Sequence, residues 1–150
     1  MKRRTRARCI ALQVLYEIDL VGHPVGVVLE ERLASEQESD SPLDDKLAEF
    51  VKQIVRGVWS LAEKLDRHIA LYAPEWPIDQ VAVIDRNILR MALWEFAVEG
   101  STPLKVVINE AVELAKIYGS DSAPRFVNGV LGSLAERSEE ISQTLKTCSE

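Results

Sequence analysis

The stretch Ile84-Asp-Arg-Asn-Ile-Leu-Arg-Met-Ala-Leu-Trp-Glu95 carries the reading of the fold. On a helix, Ile84, Ile88 and Met91 lie on one side, and Leu89, Leu93 and Phe96 on another. A helix that is apolar nearly all round is a buried central helix, because each apolar face needs a neighbour to cover it. The spacing predicts this helix over about residues 79–98.

Working outward, the neighbours read as helices too. Upstream, Ala73-Pro-Glu-Trp-Pro77 is the clearest break, since both prolines disfavour helix just before them, and Trp76 reads as a core plug under the turn. Ala7, Ala11, Val14 and Ile18 mark a first helix, roughly residues 5–20, ended by Gly22-His-Pro24. Val25, Val28, Leu29 and Leu33 mark a second. Glu36-Gln-Glu-Ser-Asp-Ser41 reads as an exposed acidic loop. Ser41-Pro42 followed by Asp44 and Asp45 predicts a capped start for a third helix, with Leu47, Val51, Ile54 and Val58 inward. Gly57 is expected to divide it from a fourth helix carrying Leu61, Leu65 and Ile69.

Downstream, Gly100-Ser-Thr-Pro103 opens a helix with Leu104, Val107, Ala111, Leu114 and Tyr118 inward and Lys105, Asn109 and Lys116 opposite. Gly119 is expected to stop it as a left-handed cap. Ser122 is expected to cap a last helix with Pro124 in its first turn and Leu134 near its end. In that helix Gly129 is read as permitting close packing, and Asn128 as bonding a neighbouring loop. The polar tail 139–150 is expected to fray. The fold class is all-α: about seven helices in one domain, 1–150. Its N-terminal subdomain covers about 1–73 and its C-terminal subdomain about 74–138.

Charge is distributed unevenly. The chain carries a net −6, yet its first eight residues hold Lys2, Arg3, Arg4, Arg6 and Arg8 and no acid. The remainder holds 13 basic and 24 acidic side chains. A concentrated basic arm on an acidic body suits a polyanion such as nucleic acid, and equally suits a solubilising terminus. If the five cations each met a phosphate on a single strand, log affinity would fall with log salt at a slope of roughly −3.5. On the first helix Tyr16 lies roughly opposite the main apolar stripe, on the side of Arg8, Cys9 and Leu12. It can stack a base or pack against another helix. Arg125 and Phe126, in the first turn of the last helix, allow the same two readings, with helix N–H groups available to a phosphate.

Other chemistry is poorly represented. Cys9 and Cys148 stand at opposite ends, forming neither a disulfide framework nor a zinc motif, and a reducing cytoplasm is expected. The chain lacks a membrane-length apolar run and a secretory signal pattern. It contains no Gly-rich phosphate loop, His-Glu-x-x-His or nucleophile elbow. Asp85, Glu95 and Glu110 have no histidine at Glu-x-x-His spacing, so they read as structural carboxylates. No enzyme, cofactor or metal is expected.

Four blocks, in order and at compatible spacing, resemble the NusB family of bacterial transcription antitermination factors. They are Arg6-Ala-Arg8 leading to Ala11-Leu-Gln-Val-Leu-Tyr16, the central helix quoted above, Pro103 to Lys116, and Arg125-Phe-Val-Asn-Gly-Val-Leu131. The resemblance implies a NusB-like fold of two packed helical subdomains. It implies binding of single-stranded boxA RNA in ribosomal RNA leader transcripts, with the small-subunit ribosomal protein NusE, inside the RNA polymerase antitermination complex. On this resemblance Lys2, Arg3, Arg4, Arg6 and Arg8 match the RNA-binding arm, and Tyr16 and Phe126 the RNA-contacting aromatics. Ser122 falls where family members often have a polar or acidic residue near the RNA, and Asp85 matches an acidic position on the NusE-facing side. Asn109, Glu110, Asn128 and Gly129 match signature positions read as structural. Cys9 replaces a common acidic residue, and Ser120-Asp-Ser-Ala-Pro124 replaces a more charged loop.

Two other readings share the blocks. Domains of this family also precede RNA methyltransferase domains, but 150 residues are expected to leave no room for one. A helical adaptor binding only protein would make the arm dispensable. An apolar patch around Leu12 and Tyr16 would support a homodimer.

Overall fold

The computed structural model describes residues 2–72 and 80–149. Ala73 to Pro77, with Trp76, lies outside the described residues. Among the described residues there are eight α-helices and no strand. They are α1 (Arg3–Val21), α2 (Val25–Gln37), α3 (Asp45–Ser60), α4 (Ala62–Tyr72), α5 (Val83–Trp94), α6 (Leu104–Tyr118), α7 (Ala123–Ala135) and α8 (Ser138–Ser149). A π-helical turn, Glu95–Glu99, continues α5. The chain divides into two compact units, Met1–Trp59 and Ser60–Glu150. This boundary precedes the expected one near residue 73, because α4 packs on α5, α7 and α8.

In the first unit α1 is buried on more than one side. Ala7, Cys9, Ile10, Ala11, Leu12, Val14, Leu15 and Ile18 are all buried. Gly22 ends the helix in the left-handed region (φ 84°), its N–H donating to the Ile18 carbonyl. The cap of α3 is Asp44 rather than Ser41. Its Oδ1 accepts the Leu47 N–H at 2.9 Å, three residues on, as an N-cap side chain does. Gly57 lies within α3 and does not divide it from α4.

In the second unit α5 is the central helix. Ile88, Leu89, Met91, Ala92, Leu93 and Trp94 are buried around its whole circumference, with Asp85, Asn87 and Arg90 among them. The π turn closes with the Gly100 N–H donating to the Glu95 carbonyl at 2.9 Å, five residues back. Gly100 there adopts φ 76°, a conformation that favours glycine.

The expected frayed tail is instead a helix. Ile141 and Leu145, one turn apart, are fully buried as α8 packs on the π turn and α4. Burying two such side chains contributes about 1.5–3 kcal/mol each, which outweighs the polar composition of the rest. Glu139 and Glu140 in its first turn suit the helix dipole.

Gly119 also differs from expectation. Its φ is −92°, so the left-handed region is not the reason for glycine. A Cβ there would lie 2.5 Å from the Ala123 Cβ and 2.9 Å from the Ala115 carbonyl oxygen. The residue is glycine because α6 and α7 turn too tightly for a side chain. Gly129, by contrast, is exposed on α7, as is its neighbour Asn128, and so is not a close-packing point.

Candidate nucleic-acid interface

The basic arm is the first turn of α1 rather than a free tail. Arg3, Arg4 and Arg6 stand at the positive end of the helix dipole, with no acid in that turn. That arrangement costs about 0.3–1 kcal/mol per charge on local grounds. Tertiary contacts in the same unit offset it. Arg3 pairs with Asp44. Arg6 Nη2 lies 3.2 Å from Glu36 Oε1 and donates to the Ser41 carbonyl. The Arg4 and Arg8 guanidiniums lie over the Phe50 ring, 4.6 and 5.4 Å from its centroid. At these distances a guanidinium is attracted by the ring's negative face.

These contacts sort the five cations. Lys2, Arg3 and Arg4 are exposed and Arg6 is half-buried. Arg8 is only 4% exposed, so it anchors the arm and does not present its charge to solvent. Four cations remain for phosphates, which moves the expected single-strand salt slope to roughly −2.8. The sequence offers Glu36 only as part of an acidic loop and Asp44 only as part of a helix start, not as partners of the arm, and does not mark Phe50 at all. The opposite charge of the segment 36–45 is the signal that could have paired Glu36 and Asp44 with the arm; Phe50 carries no such signal.

Tyr16 is exposed at 37%, and Leu20, one turn on, at 53%. Leu12 is fully buried, so the apolar patch consists of Tyr16 and Leu20 rather than Leu12 and Tyr16. α1 turns more than one face inward, and Leu12 goes with the core.

In the second unit, Ser122 and Arg125 are exposed and Phe126 is half-buried at the start of α7. Ser122 does not cap the helix by its side chain. Its backbone is helical, its carbonyl accepts the Phe126 N–H at 3.1 Å, and its Oγ sits 3.4 Å from Ser120 Oγ. Asp85, in the first turn of α5, is 8% exposed, and burial raises its carboxyl pKa. Its Oδ1 faces the α6–α7 turn, 3.1 Å from where a Gly119 Cβ would stand, and has no hydrogen-bond partner among the described residues. The other buried charge of α5 is fully engaged. Arg90 Nε and Nη2 donate to the two Asp66 carboxylate oxygens at 2.7 and 2.6 Å, and Nη1 donates to Asn87 Oδ1 at 3.2 Å.

Among the described residues no three His, Cys, Asp or Glu side chains are placed to hold a metal ion. No helix among them is long and apolar enough to cross a membrane.

The NusB family profile matches residues 5–136. The chain is 46% identical over 137 residues to the transcription antitermination protein NusB of Chloroflexus aggregans, covering 90% of this chain and 88% of that one. It is 48% identical over 142 residues to the NusB of Roseiflexus castenholzii, covering 93% and 96%. Its fold is similar to a chain in the crystal structure of antitermination factors NusB and NusE in complex with dsRNA. The TM-score is 0.78 at 29% identity, covering 91% of this chain and 98% of that one.

Proposed function

The chain belongs to the NusB family of transcription antitermination proteins, which are not enzymes, and from that premise we propose that it binds the boxA element of ribosomal RNA leader transcripts together with NusE. In this reading the pair joins the cytoplasmic RNA polymerase antitermination complex and supports ribosomal RNA synthesis, with no cofactor. The observation that carries the proposal is the first turn of α1. Lys2, Arg3 and Arg4 are exposed there, on the helix that also exposes Tyr16. Cations beside an aromatic face are the pairing that holds a single strand: the charge attracts the backbone and the ring stacks a base. The similar NusB chain seen with NusE and dsRNA supports RNA and NusE as ligands.

Within the proposal Lys2, Arg3, Arg4 and Arg6 meet phosphates and Tyr16 stacks a base. Ser122, Arg125 and Phe126 contribute a second set of contacts at the start of α7. Asp85 is assigned to the NusE side, where its Oδ1 faces the turn at Gly119 without a hydrogen-bond partner among the described residues. Tyr16 and Leu20 also offer a surface to a second copy of the chain, and a homodimer formed there would compete with RNA.

The test is a titration of boxA RNA, a scrambled single strand and a duplex of the same length, each with and without NusE. Tighter binding of boxA than of the scrambled strand, strengthened by NusE, is expected. Equal affinity for all three RNAs in the presence of NusE would overturn the boxA assignment. Sedimentation with and without boxA RNA tests the competing dimer, which RNA should dissociate.

A further inference from the structure

The acidic segment from the last turn of α2 to the start of α3 resembles no block of the family, yet it supplies the partners of the arm. Glu36 and the Ser41 carbonyl hold Arg6, and Asp44 holds Arg3. Arg32 adds a second cation to Glu36, its Nε 3.7 Å from Glu36 Oε2. These oxygens stand where phosphate oxygens would stand on the same guanidiniums. A carboxylate and a phosphate each present a pair of acceptor oxygens to an arginine fork, and one fork cannot serve both fully.

We propose that Glu36, Ser41 and Asp44 form an intrachain latch that competes with RNA phosphates for Arg3 and Arg6. This rests on the reading that the arm meets RNA. The latch orders the first turn of α1 against its unfavourable dipole when RNA is absent. It also sets a threshold: a polyanion must displace the carboxylates before the two cations are free. Arg4 and Arg8, held on Phe50, are not released by the exchange, so the helix keeps its place while Arg3 and Arg6 change partners. Net counterion release is then smaller than the number of phosphates bound, because each freed carboxylate regains counterions of its own.

The test compares two double variants of equal charge. Glu36→Gln with Asp44→Asn removes both charges of the latch and leaves only neutral acceptors, the Ser41 carbonyl among them, and the second of these changes keeps a side-chain oxygen for the Leu47 N–H cap. Glu38→Gln with Asp40→Asn removes the same charge from the same segment at two exposed side chains outside the contacts that hold the arm. Each is titrated with boxA RNA and with inorganic polyphosphate, a polyanion without bases. The latch variant is expected to bind both about fivefold more tightly than the parent, the scale of two partly exposed ion pairs, with a steeper salt slope. The control variant is expected to gain about twofold or less. Equal gains in the two variants would reduce the effect to net charge and overturn the latch. If the parent binds polyphosphate but not RNA, the RNA reading fails while the polyphosphate comparison still decides the latch.

Discussion

Gly119 and Ala123 approach so closely across the α6–α7 turn that a methyl group on Gly119 would lie 2.5 Å from the Ala123 Cβ. Neither atom sits at the end of a flexible side chain, so the backbone itself would have to move. Gly119→Ala is expected to destabilise the fold by about 1–3 kcal/mol, as overpacking does. A urea titration measures it, and an unchanged midpoint would mean the turn can open without cost. The double variant with Ala123→Gly is expected to restore part of the loss, because it removes the opposing methyl.

Arg90 is nearly buried on α5 and meets Asp66 of α4 through two parallel bonds. Asp66→Ala would remove both of these acceptors from a guanidinium that is nearly buried. The expected loss is about 2–3 kcal/mol, below that of a fully buried pair because the Asp66 side chain is 22% exposed. Thermal unfolding checks it, with Asp66→Glu as the comparison that retains the charge.

Asp85 makes stability depend on pH. Burial raises its carboxyl pKa above the ordinary 3.8, so between 3.8 and the higher folded value the folded state holds a proton that the unfolded chain releases. The stability of the neutral form is fully present below pH 3.8 and is lost as pH rises through the folded value. Asp85→Asn is therefore expected to raise stability at pH 7, with the gain vanishing below about pH 3.8. His68 works the other way. Burial, and then Arg67, lower its pKa from 6.5, so its contribution is present above 6.5 and lost as pH falls through the folded value. It does so in parent and variant alike, so the difference between their unfolding curves across pH isolates Asp85. A gain equally large at about pH 3 would exclude ionisation as its cause.

Tyr16 separates RNA stacking from packing. Tyr16→Ala is expected to weaken boxA binding by about 1–3 kcal/mol, the range for one stacked base, and to leave the unfolding midpoint within about 0.5 kcal/mol of the parent. Arg8→Ala should do the reverse, because Arg8 is buried against Phe50. Fluorescence titration and urea unfolding on the same two variants give both readouts. A stability loss in Tyr16→Ala with RNA affinity intact would assign the ring to the fold.

Much of the fold was legible in local spacing. The apolar circumference of α5 and the stripes of α1, α3 and α6 follow the helical period, and that period comes from the backbone alone. α8 was legible in principle, since Ile141 and Leu145 stand one turn apart after Ser138 and two acids. Its polar composition hid it, because two apolar side chains make a helix only if something covers them. Asp44 rather than Ser41 caps α3 because a cap is chosen by where the helix begins, and apolar residues at Leu43 and Leu47 both turn inward around it.

The chain's residues alone determined its helical class, its central helix, its charge asymmetry and the blocks that place it in its family. Each is a property of neighbours within a turn or two, or of composition. Tertiary structure alone decided which of five cations face solvent, that Leu12 is core while Tyr16 is not, and why residue 119 is glycine. It also decided that the acidic segment 36–45 lies on the arm. Those depend on groups far apart in the chain meeting at particular distances, as Arg3 and Asp44 do. Burial and Coulomb attraction act through space, and the linear spacing of residues does not encode which of two similar charges will be nearest once the chain has folded.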